Sequence, residues 1–210
     1  LMFLSGALLL YREIDIIALK ALADDTAVGL YAATDRLFGA MVVVPASIAF
    51  AIFPTMSRRY ATDPDGVHET LRRITALLGL VTIPIAVGAV MLGPEFAVAI
   101  LGDEFARSGG VMQIYGIVLI PVAWTVIIGM LCTISQQERV WTVVLLVSAA
   151  ATIPLDIVLV PWTESRYDNA ALAGALAFLV TETGAAVFGF RRILPGVFGR
   201  DTLVALARIS

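Results

Sequence analysis

The chain has 210 residues, 60% of them hydrophobic and 15% charged, and a mean hydropathy of +0.93. Soluble domains average about 45–50% apolar and about 25% charged residues, so a water-soluble globular enzyme is excluded. Fourteen Lys and Arg against seventeen Asp and Glu leave a net charge of −3, without the basic surplus that nucleic-acid binding needs.

The single cysteine, Cys132, lies in an apolar run and the single histidine, His68, in a polar stretch read as a loop. Neither a disulfide framework nor a paired-cysteine metal site can be built from them. Glycine-rich phosphate loops and Ser/His/Asp arrangements are also missing, so no covalent chemistry, metal or cofactor is expected. Leu1 opens the chain without a charged n-region and cleavage site, and the sequence reads as a piece of a larger membrane protein.

A spanning helix needs about 20 mostly apolar residues, because the hydrocarbon core is about 30 Å thick and each residue rises about 1.5 Å. Six segments meet that length, at about 1–22, 27–57, 71–92, 108–135, 140–160 and 169–190. They predict an all-α, polytopic bundle in which residues 1–193 form one six-helix lobe and 194–210 a truncated cytoplasmic connector. A short apolar piece after Gly93 and Pro94, residues 96–101, predicts an interfacial or re-entrant turn. The stretches 58–73 and 162–168 predict polar connections.

Lys and Arg decide orientation. One side collects Arg58, Arg59, Arg72, Arg73, Arg139, Arg191, Arg192, Arg200 and Arg208, the other only Lys20, Arg107 and Arg166. The first side is expected in the cytoplasm, with both ends of the chain. Trp162 and Tyr167 are expected at the outer interface and Trp141 at the inner. Pro45, Pro54, Pro84, Pro121 and Pro154 fall inside apolar stretches, where kinks suit a rocking protein but prolines are also simply common. Ala170 with Gly174, and Ala185 with Gly189, predict close helix contacts.

The first segment carries Arg12, Glu13 and Asp15. Each such charge costs about 2.5–3.5 kcal/mol at a helix centre, so the three cost roughly 8–10 kcal/mol, more than the surrounding aliphatics return. That helix must face protein or water on one side. Asp15 lies ten residues before the turn near Asp25, and Asp35 and Arg36 ten and eleven after it, which puts all three about 15–16 Å from the turn in one layer. Two readings remain open. Arg36 and Arg12 hold an anionic group in an aqueous cavity, with Asp35, Asp15 and Glu13 orienting them or exchanging protons. Otherwise Arg12 pairs with Asp15, Arg36 pairs with Asp15 or Asp35, and the cluster only pins the hairpin. Asp156, within reach of the outer interface, and Glu182 are each read either as a proton carrier or as the acceptor of a neighbouring hydroxyl such as Thr181 or Thr183, and the structural role is the expectation.

The order of "REIDIIAL", "VGLYAATDRL", "IFPTMSRRY", "IPIAVGAVMLGPEFAVAILGDEF" and "NAALAGALAFLVTE" resembles the polysaccharide-exporting flippases, in the superfamily of multidrug and toxic-compound extruders and the lipid II flippase. The resemblance runs from about Tyr11 to Phe190. It implies a protein of two six-helix lobes with alternating access, of which this chain is similar to the second. It also implies a polyprenyl-linked oligosaccharide as substrate, moved from the inner to the outer leaflet of the cell membrane, and a missing N-terminal lobe as partner. Arg36 in "TDRL" is similar in position to a cavity arginine of the lipid II flippase, where "ADRL" occurs, with Thr34 replacing the alanine. The alternatives are a cation-coupled multidrug extruder, to which Asp15, Asp35 and Glu13 would be useful, and a non-transporting membrane remnant.

Overall fold

The computed structural model describes residues 2–192, except for the side chains of residues 2–5, 7–10, 12, 64–66 and 68. The connector expected at 194–210 lies outside the described residues. Six helices follow one another: α1 (Met2–Leu22), α2 (Asp25–Thr62), α3 (Pro64–Leu101), α4 (Ser108–Ile134), α5 (Glu138–Tyr167) and α6 (Ala171–Arg192), with a short 3₁₀ turn at Asp103–Phe105. The chain is an all-α polytopic bundle. Helices α2 to α6 are long and apolar enough to cross a membrane, whereas α1 has the length but carries Arg12, Glu13, Asp15 and Lys20.

The bundle is organised around α4. This helix is uncharged from end to end, and a helix apolar all round belongs inside. Val111, Tyr115, Val118 and Leu119 on it are wholly buried, and it packs against α2, α3 and α6, while α5 joins α1 to α6. Lipid offers no hydrophobic drive between helices, so close approach through small residues holds them. A Cβ on Gly174 would meet the Tyr31 ring at 2.8 Å and one on Gly189 would meet Ile128 at 2.6 Å. Large apolar side chains remain on the outside, among them Val43, Leu80, Met91, Val147 and Val158, as a hydrocarbon surrounding allows.

Four local expectations are corrected. Residues 96–101 do not turn back, because α3 runs unbroken through Pro94. Proline lacks the N–H that would bond the Val90 carbonyl four residues earlier, and Gln113 Nε2 of α4 donates to that carbonyl instead, at 3.0 Å. The stretch 58–73 is almost wholly helical. α2 and α3 meet at Asp63 alone, whose N–H bonds Arg59 O at 2.8 Å, and Pro64 opens α3 where its missing donor costs nothing. Glu69 pairs with Arg72 and Arg73 at 3.0 and 2.9 Å, and Arg59 donates to Thr70 at 2.7 Å across the two helices. His68 therefore lies on a helix and not in a loop. α5 likewise continues to Tyr167 and stops at Asp168, left-handed at φ 50°. Trp141 is buried against Gly129, while Trp162 and Tyr167 are exposed and meet edge to face at 5.7 Å.

Candidate functional site

The start of α2 sets the depth of the polar residues. Asp24 caps it by accepting the Ala27 N–H at 2.9 Å, so Tyr31, Asp35 and Phe38 follow on one face at helical spacing. That face meets Asp15 of α1 and Tyr115 of α4. Thr34 is fully buried and returns its hydroxyl to Leu30 O at 2.7 Å, and Ser108 of α4 donates to the same carbonyl at 3.2 Å.

Between α1, α2, α4, α5 and α6 lies a cavity of about 710 Å³. Three carboxylates reach it, from Asp15, Asp35 and Glu182. Glu182 is held from two sides, accepting the hydroxyls of Tyr11 on α1 and Thr125 on α4. Asp15 is 3% exposed, with Tyr31 beside one of its oxygens and Oδ1 without a partner. Asp35 is half-buried and receives the Tyr115 hydroxyl at a long 3.5 Å.

Aromatic rings make up much of the remaining wall. Phe38 stacks on Tyr115 with centroids 4.5 Å apart, and Phe178 meets Phe38 edge-on at 6.0 Å. Phe50 and Phe53 of α2 and Trp141 of α5 complete it. Interlocked rings favour stacked and edge-to-face contacts and hold a fixed shape.

The residues singled out from the sequence separate into two groups. Asp15 and Asp35 both line the cavity. Arg36 is exposed on α2, forms no ion pair among the described residues, and is not among those lining the cavity. It therefore pairs with neither Asp15 nor Asp35. Glu13 is exposed on α1 and also outside the cavity. The Arg12 side chain lies outside the described residues. Ala40 and Ser47 continue the exposed face of Arg36.

Two further carboxylates differ from expectation. Glu182 accepts hydroxyls, but from Tyr11 and Thr125 on other helices and not from its neighbours Thr181 and Thr183. Asp156 is fully buried, and neither of its oxygens has a partner, so it does not reach an interface. The aromatic residues escaped the sequence reading because rings at helical spacing in an apolar run look like ordinary core. The one available signal was Tyr115, whose hydroxyl stands in a segment without a charged residue.

The sequence pattern of the polysaccharide biosynthesis protein family matches residues 1–109. A probable flippase, AglR, of Haloferax volcanii is 30% identical over 100 residues, covering 47% of this chain and 21% of that relative. The chain thus spans about a fifth of the length of the curated relative it matches. No solved structure matches.

Proposed function

The chain belongs to the polysaccharide biosynthesis protein family, and we propose that it is one six-helix lobe of a flippase. In this reading the complete protein moves a polyprenyl-linked oligosaccharide or polysaccharide precursor from the inner to the outer leaflet by alternating access. No bond is made or broken, so the work is transport and not catalysis. The membrane is the cell membrane, with the arginine-rich end of the bundle in the cytoplasm.

The observation that carries the proposal is the placement of Arg36. It stands exposed eleven residues into a helix apolar enough to span, about 16 Å along it. A permanently charged guanidinium at that depth does not face hydrocarbon. Among the described residues it forms no ion pair, and a second lobe of the longer protein would supply the aqueous cavity or the partner it needs. A phosphate or pyrophosphate linking lipid to sugar is the group a planar, bidentate donor suits best. Repeat-built transporters rock two such halves around a central site. Arg12, Asp35, Asp15 and Glu13 complete the proposed substrate-binding set, Asp15 and Asp35 from the cavity side and Glu13 from the exposed face of α1.

A second reading rests on the carboxylates and rings of the cavity, which would also attract an organic cation. It makes the protein a cation-coupled extruder. Translocation of a fluorescent polyprenyl-diphosphate oligosaccharide in proteoliposomes of the full-length protein separates the two. Flipping of that lipid supports the flippase, and gradient-driven efflux of a cationic dye in its absence supports the extruder.

A further inference from the structure

A second hollow, about 340 Å³ in volume, lies between α5 and α6, with Val143, Val147 and Ala151 on one wall and Val180, Gly184 and Phe188 on the other. Each set recurs every four residues and so forms one face of its helix. From Val143 to Leu155 the groove runs about 18 Å along α5, roughly the depth of one leaflet of a hydrocarbon core about 30 Å thick. Nothing in the fold fills it at Gly184, where a Cβ would meet no atom within 4 Å. Thr181, which also lines it, returns its hydroxyl to Ala177 O at 3.0 Å.

The same two faces carry charge at one end only. Arg139 stands one turn before Val143, and Arg191 and Arg192 stand one turn beyond Phe188. A three-residue turn joins α5 to α6 and the two helices pack together, so they run in opposite directions and the three arginines share one end of the groove. All three are exposed, and none forms an ion pair among the described residues. Glu138, the acid at that end, is half-buried and already engaged. Residues 140–155 and 171–181 are uncharged, so the walls below the arginines offer nothing to an ion.

An apolar groove one leaflet deep, with three exposed cations at its mouth, is complementary to a molecule with an anionic head and a hydrocarbon tail. Guanidinium groups pair with phosphate oxygens in a planar, two-pronged fashion, and basic residues gathered between spanning helices at the cytoplasmic side suit anionic lipid head groups. We infer that the groove between α5 and α6 binds an anionic phospholipid of the inner leaflet, its phosphate held by Arg139, Arg191 and Arg192 and one acyl chain laid along Gly184. The site is separate from Arg36 on α2 and does not depend on which substrate is carried. Only the choice of leaflet rests on the orientation read above.

Full-length protein carrying Phe188→Trp is reconstituted with phosphatidylglycerol or phosphatidylcholine bearing brominated acyl chains, which quench tryptophan on contact. Subtracting the quenching seen with Phe188 unchanged removes the contribution of every other tryptophan. The expected result is a preference for the anionic lipid of about fivefold or more at low salt, falling as salt rises. The preference should vanish in the triple variant Arg139→Gln, Arg191→Gln, Arg192→Gln, where the head loses its partners, and in Gly184→Leu, where the tail loses its space. All four positions are exposed, so these changes leave the core untouched. Equal quenching by the two lipids overturns the inference, as does a preference that survives the triple variant. A preference that survives Gly184→Leu reduces it to general attraction by a basic surface and removes the groove. Quenching by neither lipid means that protein covers the groove, and displacement by polyprenyl phosphate in preference to phosphatidylglycerol gives it to a carrier lipid; each of these results also overturns the phospholipid site.

Discussion

Gln113 completes a helix to which it does not belong: its side-chain amide donates to Val90 O at 3.0 Å, the carbonyl that Pro94 leaves without an N–H. The bond ties α4 to α3 at the level where α3 would otherwise break. Gln113→Leu is expected to lower the unfolding free energy in detergent by about 1–3 kcal/mol, since it leaves a carbonyl unsatisfied. The cost should shrink in a Pro94→Ala background, where the helix supplies its own donor. Equal costs in both backgrounds would contradict the assignment. Labelling of Cys132, which is 1% exposed, reports the unfolding.

The Tyr11–Glu182–Thr125 contact joins α1, α6 and α4. Glu182→Leu is expected to cost about 2 kcal/mol through the hydroxyl of Tyr11, which loses its acceptor. Thr125 retains Val122 O at 3.0 Å. Adding Tyr11→Phe should therefore recover part of the loss, while adding Thr125→Val should not. The thermal midpoints of the single and double variants decide it.

Gly109 lies where α4 presses on α3, and a Cβ there would meet Pro94 Cα at 2.6 Å. A backbone atom cannot step aside as a side chain can. Gly109→Ala is expected to destabilise by about 1–3 kcal/mol. Gly184→Ala, where nothing lies within 4 Å, should be neutral or slightly favourable because alanine is the better helix former. Chemical or thermal unfolding of the pair checks both signs.

Orientation follows from the arginines. Ala61 at the end of α2 and Ser165 near the end of α5 are both exposed. With both changed singly to cysteine, a membrane-impermeant maleimide added to intact cells should label Ser165→Cys and spare Ala61→Cys, and inverted vesicles should reverse the result. The buried Cys132 should contribute little background. Labelling of Ala61→Cys from outside would invert the topology.

The six helices were legible because apolar runs of about 20 residues leave little else to form. Their ends were not. α2 and α3 extend through Arg58–Arg73 by way of Glu69 with its two arginines and Arg59 with Thr70, pairings between residues that look, in a sequence, like the polar loop they replace. α3 passes Pro94 on a bond from Gln113, 23 residues distant along the chain. The layer holding Asp15, Asp35 and Arg36 was legible from depth alone, since equal distances from one turn give equal heights. Which way each faces was not, because Asp35 and Arg36 are neighbours whose side chains diverge by about 100° on a helix, one to the cavity and one outward. The walls of the cavity come from five helices, and only tertiary packing brings Tyr11, Phe38, Trp141 and Phe178 around the same space.

The central claim is that Arg36 holds the charged linkage of a lipid-linked glycan in the assembled protein. Full-length Arg36→Ala and Arg36→Lys should be compared with the unchanged protein for flipping of a fluorescent polyprenyl-diphosphate oligosaccharide, with membrane levels measured alongside. Arg36 is exposed and forms no ion pair among the described residues, which predicts unchanged levels for both variants. Flipping should be lost in Arg36→Ala and intermediate in Arg36→Lys, which keeps the charge but not the planar fork. Normal flipping by Arg36→Ala at normal membrane level would contradict the claim.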